Sequence, residues 1–126
     1  MRQTFPADPT SLGSVRRFVR QYVSTAPLDT IATDELVLAI SEACSMVLRH
    51  SLDPVIELDL EFDDREVRVT VQDQDTLEPC GFGPTFRTSK YLAMEDLVDD
   101  IDVRELEASG RPVIKMSKQF TNRYAI

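Results

Sequence analysis

Apolar and polar positions recur along this chain with two different periods, and the change of period divides it into elements. Residues 56–62 read IELDLEF, with Ile56, Leu58, Leu60 and Phe62 separated by Glu57, Asp59 and Glu61. Residues 67–72 repeat the alternation, Val67, Val69 and Val71 against Arg68, Thr70 and Gln72. A period of two belongs to a strand with one buried face, and Asp63-Asp64 between the two runs predicts the turn of a hairpin. Acidic and basic residues would then face each other on its polar side. Further strands are predicted at 3–7, ended by Pro6 and Pro9, at 102–106 and at 113–118.

Elsewhere the spacing is helical. Within residues 11–24, Leu12, Val15, Phe18, Val19 and Tyr22 share one face and Arg16, Arg17 and Arg20 the other, with Ser11 as the predicted N-cap. That basic face is either the solvent side of the helix or a docking site for an acidic surface. A longer helix is predicted to start at a cap on Thr33 or Asp34 and to end before Pro54, with Leu36, Ile40, Ala43 and Val47 as its apolar face. A third, over 90–99, would bury Tyr91, Leu92, Met94, Leu97 and Val98. Residues 75–89, DTLEPCGFGPTFRTS, read as a loop of about 15 residues, a length usually tied to function. Its Phe82 and Phe86 either pack into a pocket or face a partner. The whole predicts one α+β domain over residues 1–126: a two-layer α/β sandwich, its sheet mixed but mostly antiparallel, with about three helices on one face.

Composition narrows the function classes. With 42% hydrophobic and 29% charged residues the chain is an ordinary globular one. A formal charge of −8 disfavours nucleic acid or an anionic membrane as direct partner and suits a protein with a basic surface, although acidic balance also serves solubility. No apolar run approaches the roughly 20 residues of a membrane span, and MRQTFPADPT lacks the apolar core of a signal peptide. A cytoplasmic setting is expected, with Cys44 and Cys80 kept as thiols and Cys44 as a small core residue. Two cysteines and one histidine make no zinc spacing, so no metal site is expected.

Candidate chemistry concentrates in residues 34–52. Glu42, Met46 and His50 stand four apart on one helical stripe beside Ser45. Glu42 and His50 are two turns apart, roughly 12 Å, too far for a directly bonded acid–base pair. Read alone, the stripe is a solvated face with a gap-filling methionine.

SEACSMVLRH resembles the helix motif of the anti-sigma factor serine kinases, a branch of the Bergerat-fold, histidine-kinase-like ATPases whose pattern is S-E-A-x-x-N with a His four residues on. The resemblance, which spans about residues 2–120, puts Glu42 on the family's general base, His50 on the terminal His, and Met46 on the Asn that holds magnesium. A soft thioether cannot replace an amide oxygen for magnesium. In VTVQDQDTL, Asp73 falls on the residue that contacts adenine, while Asp75 and Leu77 stand where two glycines allow close approach. Thr88 and Lys90 occupy the glycines of the phosphate-cradling turn. In SGRPVIKMSK, Gly110 is followed by Arg111 and Pro112 in place of phosphate-contacting threonines.

The resemblance therefore implies a relic nucleotide pocket in a pseudo-kinase: a regulator that binds a sigma factor, or that factor's antagonist, without ATP turnover and with no cofactor. The alternative is a divergent serine kinase acting on an anti-sigma factor antagonist, using ATP with magnesium held by Asp73 or Asp75. A third reading gives an apolar pocket of Met46, Leu77 and Phe82 to an uncharged small ligand. Pairing with itself, as the family kinases do, is a further expectation.

Overall fold

The alternating run at 56–62 becomes the second strand of a six-stranded sheet in the computed structural model, which describes residues 1–50, 55–73, 82–85, 92–106 and 112–120. The strands are β1 (Arg2–Pro6), β2 (Val55–Phe62), β3 (Glu66–Asp73), β4 (Phe82–Thr85), β5 (Asp100–Leu106) and β6 (Pro112–Gln119), in the spatial order β1-β2-β3-β6-β5-β4. Every described pairing is antiparallel, so the expected mixed sheet is simpler than the sequence suggested. β2 and β3 form the predicted hairpin, with Leu58 opposite Val71 and Leu60 opposite Val69. These side chains are buried under the helices, and Asp59, Thr70 and Asp102 lie half-exposed on the other face.

Asp63 shapes the hairpin turn. Its Oδ1 accepts hydrogen bonds from the Arg65 and Glu66 amides at 2.7 and 3.0 Å, and its Oδ2 accepts from Arg68 Nη1 at 2.8 Å. The Arg68 guanidinium, and then the two amides, hold the carboxyl down at about 2. Because the unfolded carboxyl titrates near ~3.9, this stabilisation is complete above about pH 4 and is lost as pH falls through about 2. Urea midpoints measured from pH 5 to pH 2 are expected to fall less steeply in Asp63→Asn than in the parent chain.

The helices are α1 (Leu12–Tyr22), α2 (Thr30–His50) and α3 (Leu92–Glu95). Ser11 does not cap α1: its backbone is already helical and its side chain makes no capping bond. Asp8 acts one turn earlier, accepting from the Thr10 amide at 2.9 Å to start a 3-10 turn over Pro9–Ser11. The start of α2 is likewise earlier than a cap at Thr33 or Asp34 would allow. Asp29 supplies the acceptor, its Oδ1 receiving the Ala32 amide at 2.7 Å while its carbonyl receives Thr33 at 2.9 Å. Asp29→Ala is expected to lower stability by about 1 kcal/mol in chemical denaturation, the usual effect of losing an N-cap.

The third helix is shorter than predicted because the sheet captures its end. Asp99 donates its amide to the Ser117 carbonyl at 3.0 Å, and β5 begins at the next residue. Met94 and Val98 are still buried as its spacing required. The composition of residues 75–89 predicts loop throughout, yet Phe82–Thr85 forms edge strand β4, paired with β5. Pro84 is tolerated there because an edge strand has one free side.

α2 packs against β3, β6 and β2, α1 against α2, and α3 against α2 and β5. One core results, built from Leu36, Ile40, Ala43 and Val47 of α2 with Ile56, Leu58, Leu60, Val69, Val71 and Ile114 of the sheet. A row of rings, Phe5, Phe18, Tyr22, Phe62 and Phe120, joins α1 to the sheet at centroid distances from 5.4 to 6.3 Å. No helix among the described residues is long and apolar enough to cross a membrane.

Candidate functional site

The 21 residues of α2 carry the residues singled out by their chemistry, and the helix sorts them between core and water. Glu42 and Met46 are one turn apart, but the edge of the buried face runs between them. Glu42 is exposed and has no hydrogen-bond or ion-pair partner among the described residues. Met46 is only 4% exposed and belongs to the hydrophobic core. The polar stripe predicted from spacing is therefore split: its carboxylate points to water and its thioether is packed inside. Ser45, beside them, is half-buried.

The residue before Glu42 is held from another element. Ser41 is buried, and Arg16 Nη1 of α1 donates to its Oγ at 3.1 Å. One turn further along α1, Arg20 Nη1 donates to Asp34 Oδ1 at 2.8 Å. Two of the three arginines of the basic α1 face thus bond to α2, although all three remain exposed. That face is the solvent side of α1, as one of the two expectations had it, with Arg16 and Arg20 also bonded to α2. These two bonds tie α1 to the helix that carries Glu42.

Cys44 lies in the same buried stretch as a free thiol, as expected of a core cysteine. Burial pushes its thiol up to about 12, which keeps it protonated and unreactive.

Asp73 is the last residue of β3, opposite Ile56 of β2. It therefore ends the strand across which α2 packs. The side chains of Asp73 and His50 lie outside the described residues, as do Asp75, Leu77, Thr88, Lys90, Gly110, Arg111, Cys80 and Phe86. Among the described residues no group of three or more His, Cys, Asp or Glu could hold a metal ion.

Two features were not anticipated from sequence. One is the Arg16–Ser41 link, for which the sequence offers no signal because the partners lie 25 residues apart. The other is the exposure of Ile31 and Leu38, both apolar and both on the water side of α2. Their signal was available: they stand seven apart on the same stripe as Glu42.

The geometry matches a known domain. Among solved structures, the chain is similar to the crystal structure of the RsbU and RsbW domains of Rv1364c from Mycobacterium tuberculosis, with a TM-score of 0.63 and 18% identity. The match covers 94% of this chain and 32% of that one, so the chain spans about a third of the length of that structure, and the likeness is one of fold. No curated protein matches the chain in sequence. The profile of the histidine kinase-like ATPase domain matches residues 5–83, which take in α1, α2 and the β2–β3 hairpin. With well over half its length matched, the chain belongs to the histidine kinase-like ATPase domain family.

Proposed function

We propose that this protein is an anti-sigma-factor-like regulator that binds a protein partner, a sigma factor or its antagonist, without turning over ATP. The observation that carries the reading is Met46. The position that aligns with the family's magnesium-holding Asn bears a thioether buried in the core, which offers no oxygen and leaves apolar bulk where a hydrated ion would sit. Magnesium does not fit this residue. The RsbW domain in the structural neighbour supports the anti-sigma assignment by likeness of fold.

Calorimetric titration with ATP and ADP, with and without magnesium, tests the reading. No heat and no thermal stabilisation at millimolar nucleotide is the expected result. Magnesium-dependent binding would overturn it and favour a divergent serine kinase acting on the antagonist. For that alternative the exposed Glu42 carboxylate is the supporting observation, since an acceptor hydroxyl could reach it. Phosphotransfer abolished by Glu42→Gln would then establish the kinase.

A further inference from the structure

Ile31 is 67% exposed and Leu38 is 50% exposed, which makes them, with Met1, the large apolar side chains most open to water among the described residues. Seven residues apart, they lie two turns, about 10 Å, from each other on one face of α2. Single exposed aliphatics are ordinary, but these two stand on one stripe with Glu35 between them and Glu42 beyond, a ridge on which apolar and acidic positions alternate. Glu35 reaches Lys118 Nζ at 3.6 Å, and Glu42, one turn beyond Leu38, is unpartnered among the described residues. Beside Ile31 opens a mostly polar recess of about 130 Å³ whose lining includes the acidic residues Asp29, Glu35 and Asp99 with Lys118 and Gln119.

We infer that this face of α2 is the docking surface for a basic amphipathic helix of a partner protein. Aliphatic side chains two turns apart on that helix would pack against Leu38 and Ile31, and a Lys or Arg would reach Glu42. Charge selects the occupant. The protein carries a net charge of −8, so a basic helix is drawn to it and an acidic helix or anionic membrane is repelled. A second copy packed by the same face about a two-fold axis would bring the unpaired Glu42 of each copy onto a face of the same net negative chain. The inference rests on the reading of the protein as a partner-binding regulator, and at Glu42 it shares a residue with the nucleotide pocket that the resemblance implies.

The test titrates the isotopically labelled full chain with a synthetic helical peptide carrying leucines two turns apart flanked by lysines. A twin peptide with glutamates for the lysines serves as comparison. The expected result is saturable amide shifts along the first half of α2 and around the recess with the basic peptide only. Leu38→Arg should weaken this binding about tenfold, and Glu42→Gln about threefold with a smaller salt dependence. Both substitutions are at exposed positions, and an otherwise unchanged spectrum verifies the fold. The inference is overturned by absent binding at millimolar peptide, equal binding of the acidic twin, shifts centred elsewhere, or full affinity in Leu38→Arg. Sedimentation showing a dimer that Leu38→Arg disperses would assign the ridge to a second copy and also overturn it. Adding ATP with magnesium to the same samples separates the two readings: nucleotide binding would sink the pseudo-kinase reading alone.

Discussion

Replacing Met46 with asparagine is expected to lower the unfolding free energy by about 2–4 kcal/mol and to leave ATP binding absent. The substitution supplies the residue that the resemblance to the anti-sigma factor serine kinases implies for magnesium, so on sequence alone it should repair the site. The packing predicts the reverse. Met46 is in the hydrophobic core, and its neighbours on the helix at the next positions of that face, Ala43 and Val47, are buried with it. An amide placed there must be desolvated while the volume filled by the thioether is partly lost. Met46→Leu, which conserves volume and polarity, should cost less than about 1.5 kcal/mol. Urea denaturation of the two variants beside the parent chain gives the comparison, and calorimetry with ATP and magnesium gives the second half. An Asn variant that is as stable as the parent and binds nucleotide would show that position 46 faces an open pocket.

A comparably large loss, about 2–5 kcal/mol, is expected for Leu58→Ala. Leu58 is fully buried at the middle of β2, a strand paired on both sides, with Gln3 across from it on β1 and Val71 on β3. Its side chain lies between the sheet and the helices, and neither the hairpin nor α2 can close over the missing methyls without moving the other. Glu61, on the opposite face of the same strand, is exposed, and Glu61→Ala should stay within about 0.5 kcal/mol. Urea unfolding should show a lower midpoint for Leu58→Ala at an unchanged slope. Equal losses at both positions would mean that the open face of the sheet is covered in solution.

The elements legible in the sequence were those whose period is unbroken. Ile56, Leu58 and Leu60 alternate without interruption and predict β2 to within a residue or so of its observed ends. The same holds for Val67, Val69 and Val71 in β3. Where one residue type serves two purposes, the reading failed. Thr33 and Asp34 look like caps, yet Asp29 accepts the Ala32 amide, and nothing in local composition ranks the four cap-type residues Asp29, Thr30, Thr33 and Asp34. Gly83 and Pro84 announce a loop, and only the presence of β5 alongside turns them into an edge strand. The site shows a subtler limit. Spacing of four correctly puts Glu42 and Met46 on adjacent turns, but an angular offset of roughly 40° is enough to straddle the boundary of a core, and which side each takes depends on what the sheet and α1 bring to it. The family and fold were legible because they reside in pattern; the fate of the pocket depends on packing across elements.

The order of strands in the sheet has a consequence for how the molecule is made. β6, the last strand in sequence, lies between β3 and β5, so it joins two parts of the sheet that otherwise do not touch as strands. As the polypeptide leaves the ribosome, the β1–β2–β3 portion can assemble with α1 and α2 at an early stage, yet β3 keeps one open edge until residues 112–119 emerge. Folding is therefore completed late, by insertion rather than by addition at a margin, and the closing step depends on contacts between residues 43 to 53 positions apart, from Val71 with Ile114 to Glu66 with Gln119. Until then the nascent chain presents an unpaired, valine-rich edge, the kind of surface that chaperones shield and that premature termination would leave permanently exposed.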